Sequence, residues 1–219
     1  MRPLLILFSI LISFNFLSQK QEQGNVTLEL ELSPLGSEPV KINSIRGRYF
    51  IKNNKALRMS VFLGGSSTPT NTEFGDITLT SNVSNVNFAL RPGYEHHFNG
   101  TDRLSPFFGG EAYIGLNSNS SSIESIFNTD EIMTTITKQS NSTYGINILA
   151  GCDYYFSNKI YIGVELGYGF LYEGAGVTKI KYKNPSSSSL ENSTTKGSST
   201  SLDWGPNYQG TIRFGFCIK

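Results

Sequence analysis

Hydrophobic and polar residues alternate with period two along most of the chain after residue 24, and no window there holds the three-to-four spacing of an amphipathic helix. The clearest run covers residues 160–172. Ile160, Ile162, Val164, Leu166, Tyr168, Phe170 and Tyr172 fall on one face, against Tyr161, Gly163, Glu165, Gly167, Gly169 and Leu171 on the other. Successive side chains of a strand point to opposite sides, so this pattern predicts a strand with one apolar and one polar face. Seven further segments divide in the same way. Val26, Leu28 and Leu30 oppose Glu29 and Glu31; Ile45 and Tyr49 oppose Arg46 and Arg48; Leu57, Met59 and Val61 oppose Arg58 and Ser60. Val86, Phe88 and Tyr94 oppose Arg91 and Glu95, and Ile114 and Leu116 oppose Glu111 and Tyr113. Ile146 and Ile148 oppose Asn147 and Asp153, while Ile212, Phe214 and Phe216 oppose Arg213 and Gly215. Eight strands are predicted.

The connections alternate in length. Short turns built on Asn, Gly or Ser are expected at 52–55, 98–103 and 157–159, and long Ser/Thr/Asn-rich loops at 64–82, 117–142 and 173–203. The first connection on the long-loop side, around Pro34 and Pro39, is brief. All short turns then lie at one end of the sheet and the long loops at the other, the asymmetry of transmembrane barrels. The reading is all-β: an eight-stranded antiparallel up-and-down transmembrane β-barrel.

Which face meets lipid decides between this and a soluble lipocalin-like barrel. Glycines crowd the polar face (Gly109, Gly115, Gly145, Gly151, Gly163, Gly167, Gly169, Gly215), as a narrow lumen requires, and nearly all lysines fall in turns and loops. Aromatic residues gather near strand ends on the apolar face: Tyr49, Tyr94, Phe108, Tyr154, Phe156 and Phe216 at one end, Tyr144, Phe170, Tyr172 and Tyr208 at the other. Two such girdles belong to a membrane barrel. Residues 1–18, with Arg2 followed by an apolar run that ends at Leu17 and Ser18, read as a cleaved secretory signal, leaving 19–219 as one barrel domain.

Composition narrows the function. A formal net charge of +1 leaves no basic footprint for nucleic acid, and 16% charged residues suit neither a disordered tail nor a charged helical protein. Two cysteines supply no metal site alone; Cys152 falls on the apolar face and Cys217 on the polar face of strands that are not neighbours, against a disulfide.

Four stretches carry a resemblance: Gly47-Arg48-Tyr49-Phe50-Ile51 with Asn53-Asn54 and Ala56-Leu57-Arg58; Arg91-Pro92-Gly93-Tyr94-Glu95; Pro106-Phe107-Phe108-Gly109-Gly110-Glu111; and Gly151 to Phe156 leading into Tyr161-Ile162-Gly163-Val164-Glu165. The resemblance is to the small OmpA/OmpX-like outer-membrane β-barrels of Gram-negative bacteria. It implies an integral, monomeric outer-membrane protein whose partners are outer-membrane lipids, the barrel-assembly machinery and an unidentified surface ligand of the loops. The chain departs from the pattern at its end, where Phe214, Phe216 and Ile218 precede Lys219 in place of a terminal aromatic residue.

The candidate site is the lumen. Glu29, Glu31, Arg46, Arg48, Arg58, Arg91, Glu95, Glu111, Asp153, Glu165 and Arg213 all share the inward parity, five arginines against six acids. Side chains fill an eight-stranded barrel, so an interlocked plug of ion pairs is expected; a small porin-like pore is the alternative. A lipid A modifying enzyme is the other alternative, and would need a general base near the outer leaflet. The only histidines, His96 and His97, adjoin a short turn at the opposite end, and read as interfacial or turn residues. No catalytic, cofactor or metal residue is assigned, and the expected role is a non-enzymatic scaffold that binds through its long loops.

Overall fold

A computed structural model describes residues 20–32, 42–75, 77–126, 132–183, 191–196 and 199–218. The signal segment, the Pro34 and Pro39 connection and Lys219 lie outside the described residues. Nine strands are described: β1 (Val26–Leu32), β2 (Ile42–Lys52), β3 (Lys55–Phe74), β4 (Ile77–His97), β5 (Leu104–Ile126), β6 (Ile132–Tyr155), β7 (Ile160–Lys183), β8 (Glu191–Lys196) and β9 (Thr200–Cys217). Every pairing is antiparallel, and eight strands close a ring in which β6 pairs with β7, β7 with β9, and β9 with β1. The ninth, β8, adds only to the far end of β7 and stands outside the ring.

The alternation sets the ring's two surfaces. Along β7, Tyr161 is completely buried whereas Val164, Leu166, Tyr168, Phe170 and Tyr172 are exposed. The same inversion holds round the ring: Arg46, Arg48, Arg213, Glu29 and Asp153 are among the largest fully buried side chains, and Leu28, Ile45, Met59, Ile146 and Phe214 are exposed. The core of this protein is therefore its charged interior.

The short turns lie where expected. Asn53-Asn54 joins β2 to β3; Thr101 Oγ1 accepts from the Leu104 amide at 3.1 Å in the β4–β5 turn, and Ser157 Oγ accepts from the Lys159 and Ile160 amides at 3.1 and 3.2 Å in the β6–β7 turn. At this end the chain before β1 folds under the ring, with Gln21 buried and the Gly24 amide donating to the Phe50 carbonyl at 2.8 Å.

The opposite end corrects the sequence reading. The three segments expected to be long loops are mostly strand: β3 pairs with β4 out to Phe74 and Ile77, β5 with β6 out to Ile126 and Ile132, and β6 with β7 out to Thr134 and Lys183. These stretches were hidden because Ser, Thr and Asn occupy both faces, which erases the hydrophobic contrast that marks a strand. Their β-branched threonines nevertheless suit a pleated ribbon, and each hairpin is flanked by another. The ladders continue from β3 through β8, so a six-stranded sheet projects beyond the ring. Its first edge is bare: β2 pairs with β3 only as far as Val61, which leaves residues 62–74 of β3 without a described partner on that side.

Candidate functional site

All eight ring strands lend charge to the interior. Glu29 and Glu31 come from β1, Arg46 and Arg48 from β2, Arg58 from β3, Arg91 and Glu95 from β4, Glu111 from β5, Asp153 from β6, Glu165 from β7 and Arg213 from β9. Each is placed by strand parity alone.

The guanidinium groups act as hubs. Arg48 Nε lies 2.9 Å from Glu29 Oε1, and its Nη1 donates to Glu95 Oε2 at 2.9 Å and Asp153 Oδ2 at 2.8 Å. Arg58 reaches Glu95 at 2.9 Å, Glu111 at 3.0 Å and Glu165 at 2.9 Å. Arg46 donates to Glu29 at 3.2 Å and to Glu165 at 3.0 Å, with Ser60 Oγ accepting from its Nε and Glu31 paired to Nη2. Arg213 completes the wall-to-wall contacts through Asp153 at 2.6 Å and Glu29 at 3.4 Å. All eleven residues join one connected set, and Arg91 is its outermost member: it reaches Glu31 at 2.5 Å and is 19% exposed.

Layers of different chemistry bound the cluster. Toward the short turns, Phe50, Phe107, Tyr155 and Tyr161 are buried beside it. Arg48 stacks over Phe50 at 5.4 Å and over Tyr161 at 5.0 Å, and Arg213 over Phe107 at 4.8 Å. Tyr161 donates its hydroxyl to Glu29 at 2.5 Å. Further down, Cys217 Sγ donates to Gln21 Oε1 at 2.9 Å, Cys152 is half-buried, and neither cysteine is in a disulfide. Toward the projecting sheet, Asn85, Asn87, Asn117 and Asn119 form a chain of amides, with Asn85 donating to Asn119 at 2.6 Å. Sequence reasoning missed this ladder and the aromatic layer as parts of the filling. Their signal was present, since they carry the same parity as the charges.

His97 also departs from the sequence reading. It is buried, faces inward and packs between Phe50 and Phe107, whereas His96 lies half-buried against Phe98. The short strand register past Gly93 keeps Glu95 and His97 on one face, so the residue beside the turn is a core residue. Its Nδ1 lies 2.9 Å from Ser105 Oγ and its Nε2 3.2 Å from Glu95 Oε2. A serine, an imidazole and a carboxylate in series match the atoms of a nucleophile relay. None of the three is more than 4% exposed, and Glu95 is already held by Arg48 and Arg58, so no substrate carbonyl can approach Ser105. Among the described residues no cluster of His, Cys, Asp or Glu is placed to hold a metal ion.

A charged interior, an apolar exterior and an asymmetric set of connections now stand together. Residues 33–181 match the OmpA-OmpF-like porin family. The chain belongs to that family. No curated protein and no solved structure matches the chain. As a porin-family protein of the outer membrane it carries an apolar outer face, and the aromatic residues at the far end of the ring include one that the sequence reading assigned to no strand face. Trp204, the single tryptophan, pairs through its backbone with Phe170 and is 68% exposed, next to the paired Tyr144 and Tyr172. Its fluorescence should shift to the blue when the protein is moved from urea into lipid vesicles, and lipids brominated near the headgroup should quench it; emission unchanged by vesicles would remove Trp204 from the girdle.

Proposed function

We propose that this porin-family protein is a closed, non-enzymatic scaffold that crosses the outer membrane and presents a β-sheet outside the cell. The single observation that carries this reading is the length of the strands on one side of the ring. A tilted strand needs roughly 9 to 11 residues to cross the membrane. By contrast, β5, β6 and β7 have 23, 24 and 24 residues, and the excess lies at the end away from the short turns. The charge cluster supports the closed lumen, because guanidinium and carboxylate groups from all eight strands meet across it. In the same reading, residues 1–18 are a signal removed on export, the mature barrel is monomeric, and its standing partners are outer-membrane lipids and the assembly machinery.

Binding would fall to the faces of the projecting sheet. Its bare β3 edge is blunted by Pro69, which has no N–H to offer an added strand. Epitope tags inserted at Gly75 should be reached by antibody on intact cells, and tags at Asn53, Asn99 or Asn158 only after the outer membrane is opened. Labelling at Asn53 on intact cells would reverse the orientation. In planar bilayers the purified protein should give no steady conductance, and large single-channel currents would restore the pore alternative.

A further inference from the structure

The outward face of β6 and β7 changes character beyond the aromatic girdle. Even-numbered residues of β6 point outward, from Ile146 and Tyr144 down the strand to the exposed Lys138. On β7 the even-numbered Tyr168, Phe170 and Tyr172 point outward, yet a register shift opposite Gln139 and Asn141 reverses the parity. Beyond that bulge the odd-numbered residues face out, and three of them are Lys179, Lys181 and Lys183, all exposed. A bulge re-aims the side chains that follow it.

The result is a concentrated cationic patch. Lys138 and Lys179 are direct cross-strand partners, a like-charge arrangement that is unfavourable when nothing neutralises it. Lys181 and Lys183 stand opposite Ile136 and Thr134 on β6, and on the other side Lys179 and Lys181 stand opposite Thr194 and Asn192 of β8. No carboxylate occupies any of these partner positions. Glu124, in the same cross-strand row as Lys183, is two strands away. None of the four lysines forms an ion pair among the described residues, although every lumen arginine pairs with at least one carboxylate.

Position selects the partner. The four ammonium groups lie on the same outward surface that meets lipid below, and Lys138 is six residues from Tyr144, about 20 Å along the strand at roughly 3.3 Å per residue. With strand tilt, that places Lys138 and Lys179 on the order of 15 Å beyond the girdle, with Lys181 and Lys183 roughly 5 to 10 Å further out, at the height of a large headgroup and above any acyl chain. We propose that Lys138, Lys179, Lys181 and Lys183 form a docking site for the phosphorylated saccharide headgroup of outer-leaflet glycolipid. The inference rests on the reading that these strands cross the outer membrane. Lysine suits this ligand, because a flexible ammonium follows phosphates that have no fixed geometry.

The test uses the full mature protein refolded in detergent and titrated with a fluorescently labelled rough lipopolysaccharide whose core sugars carry phosphate. The fourfold variant Lys138→Gln, Lys179→Gln, Lys181→Gln and Lys183→Gln should bind at least tenfold more weakly. Lys55→Gln with Lys159→Gln, at the short-turn end, should bind as the wild type does, and arginine at all four patch positions should retain binding. Wild type given the same lipid with its phosphates removed should fall to the level of the fourfold variant. Equal binding by wild type and the fourfold variant would overturn the proposal. So would tighter binding of a soluble polysulfated glycan through the same lysines, which would make the patch a dock for an acidic polymer. Gel migration before and after boiling reports the barrel separately: weak binding with that shift intact indicts the patch, and loss of the shift in the wild type indicts the membrane reading itself.

Discussion

Arg48→Ala should destabilise the protein by about 3 to 5 kcal/mol, the range for removing one partner from a buried charge cluster. The guanidinium is 1% exposed and touches three acids, Glu29, Glu95 and Asp153, each of which is itself fully buried. Truncation leaves negative charge with fewer partners and opens a gap between Phe50 and Tyr161, on which the group is stacked. Urea titration in lipid vesicles would measure the loss as a lowered midpoint. Adding Asp153→Asn to Arg48→Ala should recover part of it, since one orphaned charge is then gone, and a coupling of this kind is what neighbours in one network show. Arg91→Ala should cost less than Arg48→Ala, because Arg91 sits at the wet rim of the cluster, and Lys179→Ala should leave the midpoint where it was. If Arg48→Ala unfolds no more readily than Lys179→Ala, the interior charges are solvated and the plug is wrong.

The second large effect comes from a residue with no side chain. Gly215 of β9 faces inward and is the backbone partner of Tyr161 on β7. A Cβ built at Gly215 would run into the Tyr161 ring, so Gly215→Val must push that ring aside. Overpacking of this kind costs about 1 to 3 kcal/mol. Displacement would also break the Tyr161 hydroxyl bond to Glu29, and a buried acceptor left unsatisfied adds a further cost of about 1 to 3 kcal/mol. Gly47→Ala is the matched control, as nothing lies within 4 Å of a Cβ there. Heat-dependent gel migration should show Gly215→Val opening at lower temperature while Gly47→Ala opens with the wild type. Combining Gly215→Val with Tyr161→Ala should cost less than the sum of the two, and strict additivity would mean that the ring and the glycine do not share space.

These two predictions differ in how far the sequence could have reached them. Parity alone put Arg48 and Gly215 on the inward face, because in a strand the face of every residue follows from one known neighbour. Which acid Arg48 meets could not be read, since pairing across the lumen depends on how the ring closes, and Asp153 is 105 residues away. The aromatic filling was half-legible: Phe50 and Phe107 have inward parity, but an apolar residue on the polar face looks like noise until the space it fills is seen. His97 was misjudged because two adjacent histidines beside a turn carry no alternation of their own. The projecting strands were hidden for the reason given by Thr70, Thr72, Asn119 and Ser121, whose neighbours on both faces are polar too. Lys179 was beyond reach altogether, because a bulge that reverses parity leaves no mark in the hydrophobic pattern.

The closure of the ring has a consequence for the order of assembly. The first strand, β1, pairs with the last, β9, and Glu29 meets Arg213 across 184 positions of sequence. Contacts this distant along the chain are the slowest to form, since the whole intervening loop must be ordered first. Until β9 docks, Glu29 and Asp153 lack Arg213, and Tyr161 lacks the glycine that makes room for its ring. A nascent sheet of seven strands is therefore an open trough with hydrated charges, and it cannot dry out before its final segment arrives. Insertion and interior drying become a single late event, triggered by the C-terminal strand, and a chain cut short of Arg213 would be held in the wet, open state where quality-control proteases can find it.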